Sequence, residues 1–518
     1  MLEMMAAKGL ITTVVLDCCH SGSVTRHVDQ ESVRVRGIQW DSAVAAVDAR
    51  PINFAGNARN ANVSRHWLLD PKGYTLLAAC GPHELASEHR FEDGKVHGVL
   101  TYWMVYALST LINGGSELTY RSLHEFIRSK LHAKWPHQNP MRFGMGESPF
   151  LGVKKLKQMS FAHVTDSLGH GRVRLNVGRA HGVCIDDEYA VYPFSPEMDK
   201  ENSGSEEPPI IKIDTVTALT STATAISDIS TSTNIEVGWH AKPLTHFSMT
   251  SALVKVPDDF GIDENLRIGI HRTWLRLTSG CAKDETASFI IATNSGNEYQ
   301  VFDAANQPIE NVPTVPSSND KAKHQVLAIV EHLAKFKFVE GLENRNPVQG
   351  FDNSFTIELS EAGSGTIGIT QIKDQGTLSL IFRNVGDKAL YFSVYNLKAS
   401  WAIEGLFSDA GQFRVVKPGE SSPVRLMMSI PDEYKAKGQT SIEDILKVFI
   451  TAKPTTFEVL EMPEISRDEN IASKTLRGGS GRLSTFLASL AIPQRDARVV
   501  KNDEAWATRN FLIRTTAE

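Results

Sequence analysis

The chain has 518 residues, room for three or four domains at roughly 100–200 residues each. A composition of 41% hydrophobic and 22% charged residues marks a globular protein, and a net charge of −6 gives no electrostatic footing for nucleic acid or an anionic membrane as partner. No apolar run reaches the ~18 residues a membrane span needs, the start lacks a secretory pattern, and five cysteines, odd in number and unpatterned, argue against a disulfide framework or zinc site and for a reducing, cytoplasmic compartment.

Residues 2–9 read as a short helix stopped by Gly9. Ile11 to Leu16 is an apolar, β-branched run that ends at Asp17, the pattern of a strand buried on both faces of a parallel sheet. Cys18-Cys19-His20-Ser21-Gly22-Ser23 then lies where that strand opens into a loop, the edge at which open α/β sheets bind ligands. Residues 24–70 read as a long loop with scattered arginines. Tyr74 to Ala79 reads as a second inner strand, ending at Cys80-Gly81-Pro82. Two amphipathic helices follow, one through Val99, Trp103, Ala107 and Leu111, the other through Leu123, Phe126, Ile127 and Leu131 with Thr119 as N-cap. Gln138-Asn139-Pro140 opens a short extended segment that closes this first unit, 1–153.

Beyond it the period becomes that of strands. Val173, Leu175 and Val177 alternate, as do Tyr189 and Val191, so 158–258 reads as a β-rich domain, with 196–208 as a surface excursion. Residues 259–349 read as a mixed α+β linker domain holding one helix through Val326, Val330, Leu333 and Phe336. Leu378-Leu380-Phe382 and Leu390-Phe392-Val394 alternate around Asn384-Val385-Gly386-Asp387, the signature of a hairpin in a β-sandwich over 350–465. Residues 466–518 form a tail whose 506–514 stretch returns as a strand.

A thiol is a useful nucleophile when it is partly ionised and presented at an accessible edge. By strand alternation Cys18 points into the sheet and Cys19 sits on the exposed turn, while Ser21 and Gly22 make a small turn where backbone N–H groups meet a substrate carbonyl. Strand-Asp17-Cys18-Cys19-His20-Ser21-Gly22 resembles the nucleophile motif of caspase-like cysteine peptidases, the metacaspases and their fungal and bacterial relatives above all. Three further segments resemble the same family in the same order: Leu76 to Cys80 with Glu84 and Glu88 after it, the helix from Gly98-Val99-Leu100, and Leu118-Thr119-Tyr120 with Gln138-Asn139-Pro140 closing. The resemblance implies an α/β three-layer caspase-like domain, partial here, followed by mostly-β accessory domains. It implies peptide-bond hydrolysis through a Cys19 thioester, protein or peptide substrates, and Asp17 with Glu84 or Glu88 binding a basic side chain, hence cleavage after Arg or Lys. It implies no cofactor except calcium, and calcium by family analogy alone. No zinc-spaced pair accompanies Cys18, Cys19 and His20.

The sequence departs from that family in one respect. The family's base is a histidine in Ser-Gly-His-Gly upstream of the nucleophile, and no histidine precedes Cys19 here. The first half of the family's domain is missing with it, which reads either as a truncated peptidase or as an inactive remnant. His83 and His89 are the nearest stand-ins for the base. The rival function is a catalytically inactive interaction protein. A serine hydrolase using Ser21 or Ser23 ranks below both, for want of a Gly-x-Ser-x-Gly elbow.

Overall fold

The computed structural model describes residues 2–18, 34–36, 62–63, 73–81, 84–112, 118–146, 148–152, 161–193, 208–226, 235–244, 252–261, 275–278, 287–345, 347–360, 369–407, 412–465 and 505–517. Twenty-seven strands and five α-helices lie among them, and the molecule is predominantly β.

The first unit is built on three strands in the order Thr12–Leu16, Tyr74–Ala78, Met141–Phe143. The first pair is parallel, with Leu16 opposite Ala78; the second is antiparallel, with Leu77 opposite Arg142. Tyr74–Ala78 is buried throughout, as its unbroken apolar run requires. Its two faces meet different partners. Leu77 and Ala79 pack with Leu100, Leu123, Phe126 and Ile127 of the helices Val99–Ile112 and Tyr120–Lys134. Leu76 and Ala78, with Met141 and Phe143, pack on Phe413, Tyr391 and Val415 of the C-terminal strands. Thr119 caps the second helix, its hydroxyl accepting from the Ser122 N–H. The short helix Leu2–Ala7 abuts the turn at Gly73.

These contacts correct the expected α/β three-layer caspase-like domain. Among the described strands of the first unit only Thr12–Leu16 and Tyr74–Ala78 run parallel, and the face opposite the helix pair is covered by a β layer. The fold is instead mostly β, several small sheets and one closed barrel. The strand Thr12–Leu16 is also less buried than its apolar run suggests. It lies at the edge of the described sheet, and Leu10, Ile11 and Val15 are exposed. Apolar residues at an edge look the same in sequence as those in a sheet interior.

Six strands between Ala162 and Pro243 close into the barrel. Val164, Val173, Leu175, Val191, Ile211, Ile213 and Ala223 fill it. Gly178 is needed at its rim: a Cβ there would stand 2.6 Å from Thr220 N and 2.7 Å from Thr217 O. The strand Ala252–Lys255 belongs to the next, five-stranded sheet, which packs against the helix Ala322–Gly341.

The C-terminal region stacks two sheets. One orders Phe355–Ser360, Thr377–Asn384, Ser421–Met427 and, from far upstream, Asn62–Val63. The other orders Ile369–Lys373, Trp506–Thr516, Ser441–Thr451, Leu390–Leu397 and Ile403–Gly405, with Arg414–Val416 also on Leu390–Leu397. Trp506–Thr516, the returning strand, sits inside this sheet between Ile369–Lys373 and Ser441–Thr451. Thr377–Asn384 and Leu390–Leu397 are not a hairpin, because they pair in different sheets. The chain arches between layers at 385–389, so that Phe382 and Phe392 stack with centroids 4.5 Å apart across the core. Asn384 ties the arch: its amide donates to the carbonyls of Lys388 and Val416, both at 2.7 Å, and its carbonyl accepts from the Gly386 N–H at 3.0 Å.

Among the described residues no helix is long and apolar enough to cross a membrane.

Candidate active site

The parallel pairing of Thr12–Leu16 with Tyr74–Ala78 brings two loops to one edge. The Ala79 N–H donates to Leu16 O at 2.8 Å, so the strands stay in step to their ends. Asp17 follows at once, its Oδ2 accepting from the Thr101 hydroxyl at 2.7 Å. Thr101 lies in the first turn of Val99–Ile112, where the helix dipole favours a carboxylate. Asp17 is thereby held at the meeting point of strand and helix.

Cys18 is exposed and Cys80 is fully buried. The expectation that Cys18 points into the sheet is corrected here: the strand ends at Leu16, and beyond it the alternation of faces no longer applies. The Cys80 thiol points to Glu84 O at 3.4 Å and, at 3.9 Å, to Cys18 O, which places the two loops side by side. Cys19, His20, Ser21, Gly22 and His83 lie outside the described residues, as does nearly all of the 24–70 loop.

Glu84 is engaged within the chain. Its Oε2 accepts from the N–H groups of Asn139 at 2.7 Å and Gly81 at 3.1 Å, and its Oε1 from the Asn139 side chain at 2.6 Å. Burial raises its pKa above the usual carboxylate range, against the pull of those bonds. With these partners the carboxylate locks the loop to the segment before Met141–Phe143. Gln138 does the same one residue earlier, donating to Ala79 O at 3.1 Å and accepting from the Ser87 N–H at 3.1 Å. Glu88 is half-buried on the strand Ala86–Arg90, opposite Gly98 on one side and Arg34 on the other.

His89 stands across the ladder from His97. Its ring meets Phe91 at 5.3 Å and Trp135 at 5.2 Å edge-on, and burial followed by the charge of Lys134 lowers its pKa. His97 bonds Asp93 at 2.7 Å. Both belong to an aromatic cluster with Phe91, Tyr102, Trp103 and Trp135. Among the described residues no group of three or more His, Cys, Asp or Glu is placed to hold a metal ion.

The sequence reading missed the residues that fasten this edge. Thr101 carried no signal beyond standing near a helix start. Arg142 is a charged residue fully buried between Met141 and Phe143, and a charge inside an apolar run is the one mark it leaves in sequence.

No family model matches the sequence, and no curated protein matches it. Among solved structures the chain is similar to the ASH / PapD-like domain of human CEP192 (PapD-like domain 7), at 7% identity over 31% of this chain and 84% of that one, with a TM-score of 0.14. It is similar also to the Salmonella enterica SafA pilin in complex with the SafB chaperone, at 12% identity over 31% of this chain and 54% of that one, with a TM-score of 0.15. At these scores the likeness carries no argument, and the architecture given above rests on the strand pairings themselves.

Proposed function

We propose that the chain carries the nucleophile edge of a cysteine endopeptidase of the caspase and metacaspase kind, with Cys19 as nucleophile. The observation that supports this most directly is the convergence of the Asp17-Cys18 bend and the Cys80–Glu84 loop at the C-terminal ends of two parallel strands. The Cys19 thiolate attacks the substrate carbonyl and forms a thioester as the peptide C–N bond breaks and the amine leaves protonated; water then hydrolyses the thioester, releasing the carboxylic acid and regenerating the thiol. Backbone N–H groups of the Ser21–Gly22 turn stabilise the oxyanion in this reading. Asp17 and Glu88 are the carboxylates that select Arg or Lys before the scissile bond, while Glu84 positions the loop between them.

The rival reading, an inactive interaction protein, draws support from the histidines. His89 and His97 are held in the aromatic cluster, and the base of this chemistry has to come from elsewhere. A panel of fluorogenic peptides ending in Arg, Lys or Asp, assayed on the full chain and on Cys19→Ala, separates the two. Turnover after Arg or Lys that Cys19→Ala abolishes supports the peptidase. Turnover mainly after Asp contradicts the specificity. Absence of turnover favours the interaction protein.

A further inference from the structure

The segment 453–462 reaches from the sandwich back into the first unit. Glu458, 4% exposed, lies with Oε1 3.6 Å from Arg142 Nη2 and 3.7 Å from Arg121 Nη1. Glu461 bonds Arg121 at 3.1 Å and accepts from the Gly405 N–H at 3.2 Å. Arg128 donates to the Thr456 hydroxyl at 2.7 Å. His181 of the barrel bonds Thr456 O at 3.0 Å and stacks on Phe457, which itself stacks on Phe449 of the sandwich at 4.1 Å. One short segment thus touches the first unit, the barrel and the sandwich.

Its central ion pair is buried. Arg142 is fully buried, and its other guanidinium nitrogen donates to Gly144 O at 3.2 Å. Gly146 lies against that guanidinium, close enough that a Cβ there would displace it. Burial pushes the Glu458 carboxyl up, but Arg121 and Arg142 more than offset this and hold it below the usual carboxylate range. Glu125 beside it is driven well above the usual range, by burial and then by the Glu458 charge.

Arg142 stands three residues after Asn139. The Asn139 N–H and side chain hold Glu84, and Glu84 holds Gly81 next to Cys80 and the Cys18 carbonyl. Tyr391 and Phe413 of the sandwich cover the same strands from below. We propose that residues 453–462 are an intramolecular clamp by which the C-terminal sandwich sets the position of the Glu84 loop and of the Asp17–Cys18 bend. As regulation of the candidate site this rests on the peptidase reading; as a mechanical coupling it does not. Anything that draws the segment off Arg121 and Arg142 loosens the Glu84 loop and the Asp17–Cys18 bend without touching them.

Spatial adjacency alone is not coupling, so the test measures coupling. Native-state hydrogen exchange on the full chain, in rising urea, compares two sets of amides: Gly81 and Asn139, bonded to Glu84, and Leu460, Glu461 and Met462 in the clamp. A shared opening, with both sets exchanging at one free energy, supports the clamp. Gly81 and Asn139 staying protected after the clamp amides have opened overturns it. Glu458→Gln adds a second readout. Alkylation of the buried Cys80 by iodoacetamide is expected to accelerate roughly tenfold or more, because the buried Arg142 loses its counter-charge. An unchanged rate in a folded variant overturns the proposal, and if the variant does not fold, the exchange experiment on the parent chain decides. Electrophile labelling of Cys19 is read separately. Coupled exchange without labelling sinks the peptidase reading and leaves the clamp; labelling with uncoupled exchange does the reverse.

Discussion

Asn384 distinguishes the arch between sheets from an ordinary turn. In a surface hairpin an Asn→Asp change is nearly neutral, because both residues favour turns. Here Asn384 is fully buried, and it joins three groups: two carbonyls, of Lys388 and Val416, and the Gly386 N–H. Removing the side chain forfeits three hydrogen bonds at ~1 kcal/mol each, so Asn384→Ala is expected to cost about 3 kcal/mol. Asn384→Asp keeps the bond from Gly386 but replaces the two-bond donor by a second acceptor facing two carbonyls. It is therefore expected to be at least as damaging as Ala, at about 3–5 kcal/mol. Urea unfolding followed by near-ultraviolet circular dichroism, which reports the Phe and Tyr core of the sandwich, gives both values. An Asp variant within about 0.5 kcal/mol of the parent would refute the arch, since that is the size of an ordinary surface substitution.

Two further outcomes follow from buried groups in the other bodies. His124 bonds Pro140 O at 2.9 Å, and burial, then Arg142, lowers its pKa from 6.5 to about 3. A base whose folded pKa is depressed contributes stability that is full above its unfolded pKa and is lost as pH falls from about 6.5 towards 3. At pH 5 that loss is about 2 kcal/mol. Glu125, with its raised pKa, shifts stability the other way over acid pH, so the contribution is read by difference: His124→Gln should lose about 2 kcal/mol less than the parent between pH 7 and pH 5. Equal losses in urea titrations at the two pH values would remove the buried neutral histidine from the account. In the barrel, Gly178→Ala sets a methyl against three backbone atoms at 2.6–2.8 Å, which cannot swing aside as a side chain end would. It is expected to destabilise by about 2 kcal/mol or more, and a barrel variant melting with the parent in calorimetry would contradict the rim geometry.

Much of the local structure was legible because periodicity reports which face of an element is apolar. Leu378, Leu380 and Phe382 alternate, as do Leu390, Phe392 and Val394, and all six are buried in one core. Alternation says nothing about partners, so two strands that face one another across a sandwich looked like neighbours in one sheet. The same limit hid the edge position of Thr12–Leu16 and the β layer beneath Leu76 and Ala78. Thr119 was readable as a cap because its bond is local, three residues along. The bonds that fasten the candidate site are not local. Asp17 meets Thr101, Glu84 meets Asn139, and Arg142 meets Glu458 more than 300 residues later in the chain. A carboxylate that locks a loop and one that lines a pocket have the same sequence, and only the partners of Glu84 tell them apart.

The most direct test of the central claim is covalent labelling of the full chain by a peptidyl acyloxymethyl ketone bearing Arg or Lys, followed by peptide mapping. The account expects one adduct, on Cys19, that is absent in Cys19→Ala and unaffected in Cys18→Ser. An adduct that persists in Cys19→Ala, or a chain that stays unlabelled while folded, would contradict it.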